Sequence, residues 1–318
     1  LLYMACIDPH LVSGAEIIVD VDDKSLAHLE KVQHAFLRRL LVLGLGAYSM
    51  RAPLFTEVGL VPLRYRHLIL ALRYLGYLIN LAVTHYAKAA LEDSYQLYLK
   101  GCQGYWMDLM YTPQNLRFPV TLPALPELTP EKCTALTKEV HIAAMRHLDA
   151  EVNSSTRLYM LHDRLEPLED EPPKKMTTFL RHYLVLVVNA KHRKALTRLL
   201  VSQHPLAVER MRYKQRRHRV IVPREDRLCR FGCNHIETVE HALFFCSQAG
   251  EELLQYRNAY TTAMQTTDPR IATVAPWNAT NVLRSLIFRR ETVCQSAKFV
   301  CKVFAIFDVV PMVWPDGM

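Results

Sequence analysis

Glycine is scarce in this sequence, with 10 residues among 318. A chain that is poor in the residue least compatible with helix interiors, and rich in leucine, favours helical structure over disordered or fibrous classes. It also lacks any run of the roughly 18 uncharged apolar residues that a membrane-spanning helix needs. The longest candidate, 296–314, is interrupted by Lys298, Lys302 and Asp308. The sequence therefore predicts a mainly α protein with no membrane segment.

Recognisable targeting signals are also missing. The chain starts at Leu1, without an initiator methionine, a basic n-region or a small-residue cleavage site, so it is a candidate piece of a longer protein. Eight cysteines, three of them grouped around one histidine, suit a reducing compartment with a metal site better than a disulfide framework. We therefore expect an intracellular protein, nuclear or cytoplasmic.

The length and the spacing of prolines suggest how the chain is divided, since 318 residues exceed one typical domain. Five prolines crowd residues 112–130, a density that a regular helix or central strand does not accept. We place a linker there. The predicted regions are then a helical region at 1–111, the linker at 112–130, a helical region with a basic segment at 131–220, a zinc knuckle at 221–250 and C-terminal helices at 251–318.

Helical periodicity predicts where the main helices lie. Acids at Asp20, Asp22 and Asp23 precede a helical pattern in which apolar residues recur, and acids suit the positive end of a helix dipole. That pattern comprises Leu29, Val32, Phe36, Leu40 and Leu43. Segment 63–88 is apolar on nearly all sides, which indicates a helix buried at the centre of a first core. Further helical blocks are expected at 131–164, 177–202, 249–264 and 280–308, the last as one helix or two.

The positive charge of the chain is concentrated in one segment. Residues 191–230 contain thirteen Lys or Arg and three acidic residues, while the rest of the chain is close to neutral. Guanidinium groups interleaved with an aromatic ring can pair with phosphates and stack on an unpaired base. A solvated charged loop or a nuclear-import signal is the alternative interpretation. The predicted nucleic-acid contacts are Arg210, Arg212, Tyr213, Lys214, Arg216, Arg217, Arg219, Arg224, Arg227 and Arg230.

A cysteine and histidine cluster follows this segment directly. Cys229, Cys233, His241 and Cys246 have the spacing Cys-x3-Cys-x7-His-x4-Cys. Three thiolates and one imidazole supply the four donors that zinc holds at tetrahedral corners, so the cluster predicts a structural Zn²⁺ site. We expect a positive φ at Gly232 between the first two ligands. Thr238 is expected to cap a short helix that begins near residue 239, carries His241 on its first turn and ends at Cys246.

Two alternatives to this ligand set remain at the level of sequence. The three cysteines are of a type that is often simply buried as a free thiol. His235 competes with His241 for the imidazole position, but it lies only two residues after Cys233 and would strain the loop. If the four-residue set is correct, the metal has no open coordination position and does not perform chemistry.

The stretch RLCRFGCNHIETVEHALFFC resembles the zinc-binding region at the C-terminal end of LINE-type (non-LTR) retrotransposon reverse transcriptases. In that pattern Cys-x2-3-Cys is followed by Glu-Thr or Glu-Asp, then His and Cys, and Glu237 and Thr238 match it. Upstream, HLEKVQHAFLRRLLVLG, APLFTEVGLVPLRYRHLILALRYL and HRKALTRLLVSQHPLAVERMRY are similar to the post-polymerase region of such elements, particularly fungal ones. The resemblance covers most of residues 13–260. It implies a thumb-like helical region, a linker and a knuckle that helps grip RNA or DNA, with a polymerase region upstream.

The carboxylates of polymerisation are absent from this chain. Such enzymes hold two magnesium ions on an aromatic-Ala-Asp-Asp turn, and the sequence contains no such turn. The nearest rival, IIVDVDD at 17–23, leads into a helix pattern, which favours helix capping. We therefore expect a nucleic-acid-binding region that is not an enzyme by itself. A helical protein-interaction scaffold stapled by zinc, or a decayed retroelement relic, is the alternative.

Overall fold

The computed structural model describes residues 2–43, 50–213 and 221–315, and these are mainly helical, as predicted. Within these ranges there is no sheet, and the only strand-like pairings are the isolated bridges Glu166–Lys174 and Leu228–Ile236. The α-helices, numbered α1 to α13, are Asp8–Val12, Asp23–Leu40, Ala52–Thr56, Leu63–Ile79, Tyr86–Leu99, Tyr105–Gln114, Pro130–Ser154, His182–Leu186, Ala190–Leu200, Ala207–Arg210, Glu251–Met264, Ala279–Ile287 and Val293–Val309.

Short helical turns of other types complete the described chain. Three are 3₁₀ turns, at Leu125–Glu127, Thr156–Leu161 and Pro269–Thr273. Two are π-helical, at Tyr3–Ile7 and His241–Phe245. The second π turn lies inside the predicted knuckle, which makes its geometry part of the candidate site.

The chain folds into two compact units. The first comprises Leu1–Leu40, Arg51–Val152 and Thr177–Phe179. The second comprises Leu41–Met50, Asn153–Met176 and Leu180–Met318, so it contains the whole predicted knuckle. The units interleave along the sequence, which the five predicted regions did not anticipate.

Helix α2 in the first unit begins where the acids predicted. The carboxylate of Asp22 accepts hydrogen bonds from the N–H groups of Lys24 (3.0 Å) and Ser25 (3.1 Å), the bonding that stabilises a helix start. The buried face differs from the expected apolar pattern, because Val32 and Leu40 are about half exposed. Gln33 is buried instead and donates to the hydroxyl of Tyr3.

Helix α4 lies at the centre of the first core, as the all-round apolar pattern predicted. Nine of its residues are buried, and seven of them pack in a cluster with fully buried Trp106 and with residues of α7. The helix ends at Ile79 rather than continuing to residue 88, because the chain turns at Asn80 before α5 begins. One predicted helix is therefore two.

The proline-rich segment 112–130 is part of the first unit and is not a boundary. Leu116, Val120, Leu122 and Leu128 are buried in the same cluster as α4. Prolines prevent a continuous helix through this segment, but the apolar residues between them still bury their side chains. The expected division at 112–130 is therefore replaced by one near residue 152.

The second unit packs around α13, which lies along α9, α11 and α12. The prediction of one helix at 249–264 is confirmed by α11, and 280–308 forms two helices. The predicted block at 177–202 is shorter in the structure, where α8 and α9 are separated by an extended turn. Among the described residues, no helix combines the length and the apolar character required to cross a membrane.

Candidate metal centre

The four predicted metal ligands converge on one point in the second unit. One donor atom from each of Cys229, Cys233, His241 and Cys246 lies within 4.8 Å of all the others. The Sγ atoms of Cys229 and Cys233 lie 3.8 and 3.5 Å from that of Cys246. Ligand atoms around a tetrahedral zinc are roughly 3.3–3.8 Å apart, as follows from bonds of about 2.0–2.3 Å. The spacing of these sulfurs is therefore that of a metal-binding cluster.

A tight turn positions the first two cysteines. The bridge between Leu228 and Ile236 closes the hairpin, and the N–H of Cys229 donates to the carbonyl of His235 (2.8 Å). Gly232 has a φ of +79°, the conformation expected from its place between the ligands. The turn thus brings both thiols to one side of the backbone.

A single helical turn positions the other two ligands. The hydroxyl of Thr238 accepts the N–H of His241 at 3.1 Å, which confirms the predicted cap. Residues 241–245 form a π turn, and the N–H of Cys246 donates to the carbonyl of His241 at 2.7 Å. In an α-helix, residues five apart point about 140° away from each other. The wider π turn reduces this angle, so the imidazole and the thiol face the same point without the frayed helix end that we expected.

The protonation of the cysteines and the burial of His241 indicate that the cluster suits a bound cation. The hydrogen bond with Cys246, together with burial, raises the pKa of Cys229 to about 12, and the same bond lowers the pKa of Cys246. In addition, the Nε2 atom of His241 is buried and has no hydrogen-bond partner in the described part of the chain. Crowded thiols and an unsatisfied imidazole nitrogen are both accommodated by a cation that binds thiolates. The four residues therefore fit a soft or borderline metal ion with no open coordination position.

His235 lies outside the cluster. Its side chain is exposed, and its ring centroid is 5.8 Å from that of His241. It is not in the group of four converging ligands, which agrees with the choice of His241 from spacing.

The prediction that Arg230 contacts nucleic acid is corrected, because its guanidinium forms an ion pair and hydrogen bonds within the protein. Arg230 is only 8% exposed and forms an ion pair with the fully buried carboxylate of Glu237 at 2.7 Å. The guanidinium also donates to the backbone carbonyls of Pro205, Phe307 and Val310. All of its donors are thus used within the protein, and none is left for a phosphate.

The prediction that Arg227 contacts nucleic acid is also corrected, because its guanidinium donates to acceptors within the protein. Arg227 is 7% exposed and donates to the carbonyls of Val222 (2.8 Å) and Val208 (2.8 Å). Charge counting gave no sign of this, because the acceptors are backbone atoms that any sequence provides. The sequence indicated an internal ion pair only for Arg230, because its partner Glu237 lies seven residues away in a segment with few other acids.

The other predicted nucleic-acid contacts differ in their surroundings. Arg210 and Arg224 are exposed. Arg212 is half-buried and lies 3.4 Å from the carboxylate of Glu209, to which the hydroxyl of Tyr213 also donates. The guanidinium carbon of Arg157 lies over the ring of Tyr213, 5.3 Å from the ring centroid. The remaining four lie outside the described residues: Lys214, Arg216, Arg217 and Arg219.

Sequence reasoning missed a cavity of about 620 Å³ that adjoins the cluster. His241 contributes to its wall, and so do Arg157, His204 and Glu209, which lie up to 84 positions earlier in the chain. No spacing pattern connects these residues, because the packing of distant segments brings them together. Compared with known proteins, the chain matches no family model, no curated sequence and no solved structure.

Proposed function

We propose that the second unit is a zinc-stabilised nucleic-acid-binding module, of the kind that LINE-type reverse transcriptases carry at their C-terminal end. The observation that carries the proposal is the convergence of three cysteines and one histidine directly after a strongly basic segment. The module binds RNA or DNA and contributes no catalytic group of its own. The polymerase region of such a protein would lie upstream.

Zinc is the ion that suits these ligands best. Three thiolates and one imidazole form a standard tetrahedral structural site, whereas oxygen ligands would favour magnesium or calcium. The proposed role of the ion is to hold the turn at residues 229–233 against the helical turn at His241–Phe245. Its binding energy is then also folding energy for the knuckle (residues 221–250).

The proposed nucleic-acid surface consists of the basic segment without Arg227 and Arg230, which are bonded inside the protein. Arg210 and Arg224 are exposed on either side of residues 214–220. Those seven residues contribute Lys214, Arg216, Arg217 and Arg219. Phosphate neutralisation by these side chains would release counterions, so binding should weaken steeply with salt.

A salt titration of binding tests the proposal. The zinc-loaded chain is titrated by fluorescence anisotropy against single-stranded RNA, single-stranded DNA and duplex DNA at several salt concentrations. Each phosphate contact contributes about −0.7 (single strands) to −0.9 (duplex) to the slope of log affinity against log salt. Replacement of Lys214, Arg216, Arg217 and Arg219 by alanine should make the slope less steep by up to about 3.

The matched control removes the same charge elsewhere. Alanine at Lys24, Lys31, Lys100 and Lys138, all exposed in the first unit, should leave the slope unchanged. Equal losses in the two quadruple variants would show that only net charge matters. Binding that is absent, or insensitive to salt, would reject the proposal and favour a protein-interaction scaffold.

A further inference from the structure

The cavity beside the metal cluster is large enough to hold a small ligand. Its volume is about 620 Å³, within the range of roughly 300–1,000 Å³ typical of ligand pockets. Eight of its wall residues, His235 and His241 among them, belong to the knuckle. All of its lining residues lie in the second unit, so the cavity is a property of that unit alone.

The charged side chains around the cavity favour an anion. Three arginines line it, namely Arg157, Arg212 and Arg224, against two acids. The carboxylate of Glu209 is already neutralised, because Arg157 and Arg212 lie 2.5 and 3.4 Å from it. The carboxylate of Glu240 accepts hydrogen bonds from the hydroxyls of Tyr159 and Thr280. Three arginines against two carboxylates leave one net positive charge on the wall.

A buried imidazole also belongs to the wall of the cavity. His204 lines the cavity, is 97% buried and packs with its ring 5.8 Å from that of Phe304. Its Nδ1 atom has no hydrogen-bond partner among the described residues. Burial, followed by the nearby arginines, lowers its pKa to about 3, so the ring is neutral and can donate one hydrogen bond at neutral pH. Its Nδ1 atom has almost no accessible surface, so His204 forms a neutral part of the wall and is not a contact for the ligand.

We propose that this cavity binds a phosphate monoester, with Arg224 and Arg212 pairing its oxygens. A phosphate monoester suits the site because guanidinium groups pair with its oxygens in a bidentate manner. The inference goes beyond the proposed function, since such a group occurs on free nucleotides as well as on strand ends. Because His241 is both a wall residue and a candidate metal ligand, the cavity should need the metal to keep its shape.

Calorimetric titration of the zinc-loaded full chain tests the assignment, with adenosine 5′-monophosphate as the probe. Adenosine, which lacks only the phosphate, is the matched ligand control. The nucleotide should bind and adenosine should not. The Arg224→Ala variant should lose about tenfold in affinity, as expected for one charge-assisted contact. The Glu240→Gln variant keeps an oxygen acceptor for Tyr159 and Thr280 and removes a negative charge, so it should bind the nucleotide more tightly.

A charge control and a set of ligands complete the experiment. Lys298→Ala removes one exposed positive charge of the same unit outside this cavity, and should bind the nucleotide as the wild type does. Inorganic phosphate, and an oligonucleotide with and without a 5′-phosphate, distinguish a free anion from a strand end as the source. Equal binding of adenosine and the nucleotide, no binding of either, or equal losses in Arg224→Ala and Lys298→Ala would overturn the assignment. None of these outcomes depends on the salt slope for nucleic acid, so the two proposals fail separately.

Discussion

At the scale of single residues, the metal ligands are distinguished from their neighbours by what their side-chain atoms contact. His241 and His235 lie six positions apart, and their rings are close together. Of the two, only His241 is buried with an unpartnered nitrogen and contributes a donor atom to the cysteine cluster. A nitrogen in that position costs free energy unless a metal or a hydrogen-bond partner occupies it. The burial of this one nitrogen therefore explains why one histidine belongs to the site and the other does not.

Substitution of single ligands should release the metal. Cys233→Ser and His241→Ala should each lose the bound ion, because metal binding of about 10–16 kcal/mol requires the full ligand set. His235→Ala and Cys294→Ser, which change exposed residues of the same unit outside the cluster, should retain it. The measurement is metal content by mass spectrometry after dialysis. Full metal content in either ligand variant would contradict the assignment.

At the scale of elements, the Arg230–Glu237 pair attaches the knuckle to the rest of the second unit. Glu237 accepts from the N–H groups of Ala207 (2.7 Å) and Arg230 (3.0 Å), while the guanidinium reaches carbonyls at the end of α13. Both charges are almost fully buried, so each depends on the other for compensation. In the proposed module the metal would hold the knuckle together internally, and the ion pair fixes the position of the knuckle within the second unit.

Replacing only one member of the Arg230–Glu237 pair should lower the stability of the second unit. Arg230→Met leaves a buried carboxylate without its cation and should destabilise the second unit by about 3–5 kcal/mol. Adding Glu237→Gln removes the charge and keeps an oxygen for Ala207, so the double variant should recover part of the loss. Arg290→Met breaks a pair with the largely exposed Glu169 and should cost less than about 1 kcal/mol. Urea denaturation followed by circular dichroism measures all three, and a double variant weaker than Arg230→Met would contradict the explanation.

At the scale of the whole molecule, buried histidines should make the stability of each unit depend on pH. The second unit contains His204, and the first contains His34, which is only 9% exposed. Burial, followed by the nearby Arg51 and Arg38, lowers the pKa of His34 to about 4. Because the unfolded chain binds this proton more readily, the folded first unit should lose stability as the pH falls from about 6.5 towards 4.

A pH series of unfolding measurements tests this effect. The loss should approach about 3 kcal/mol near pH 4, from 1.36 kcal/mol per pKa unit. Fluorescence of Trp106, fully buried in the first unit, reports it in a background where Trp277 and Trp314 are phenylalanine. His34→Gln should flatten the profile between pH 4 and 6.5, whereas His28→Gln, an exposed position on the same helix, should not. An unchanged slope in His34→Gln would exclude His34 as its source.

The features that sequence predicted are those encoded over short distances. Ligand spacing, the positive φ of Gly232, the cap at Thr238 and the start of α2 each depend on residues a few positions apart. The end of α4 at Ile79 was not visible, because the apolar pattern continues through the turn that follows. Nearby Glu237 was the only indication in the sequence that Arg230 is buried, since other acceptors of Arg230 lie up to 80 residues away. Long-range packing decides such features, and one sequence does not display it.

The order of these contacts along the chain has a consequence for biosynthesis. The cluster spans 17 positions, from Cys229 to Cys246, so the ribosome delivers all four ligands almost together. The carbonyl acceptors of Arg230 at Phe307 and Val310 arrive 77 and 80 residues later. A nascent chain would therefore complete the candidate metal site first and anchor the knuckle only after these later residues have been made. Premature termination before residue 307 would leave a product that still takes up metal but lacks these anchoring carbonyls.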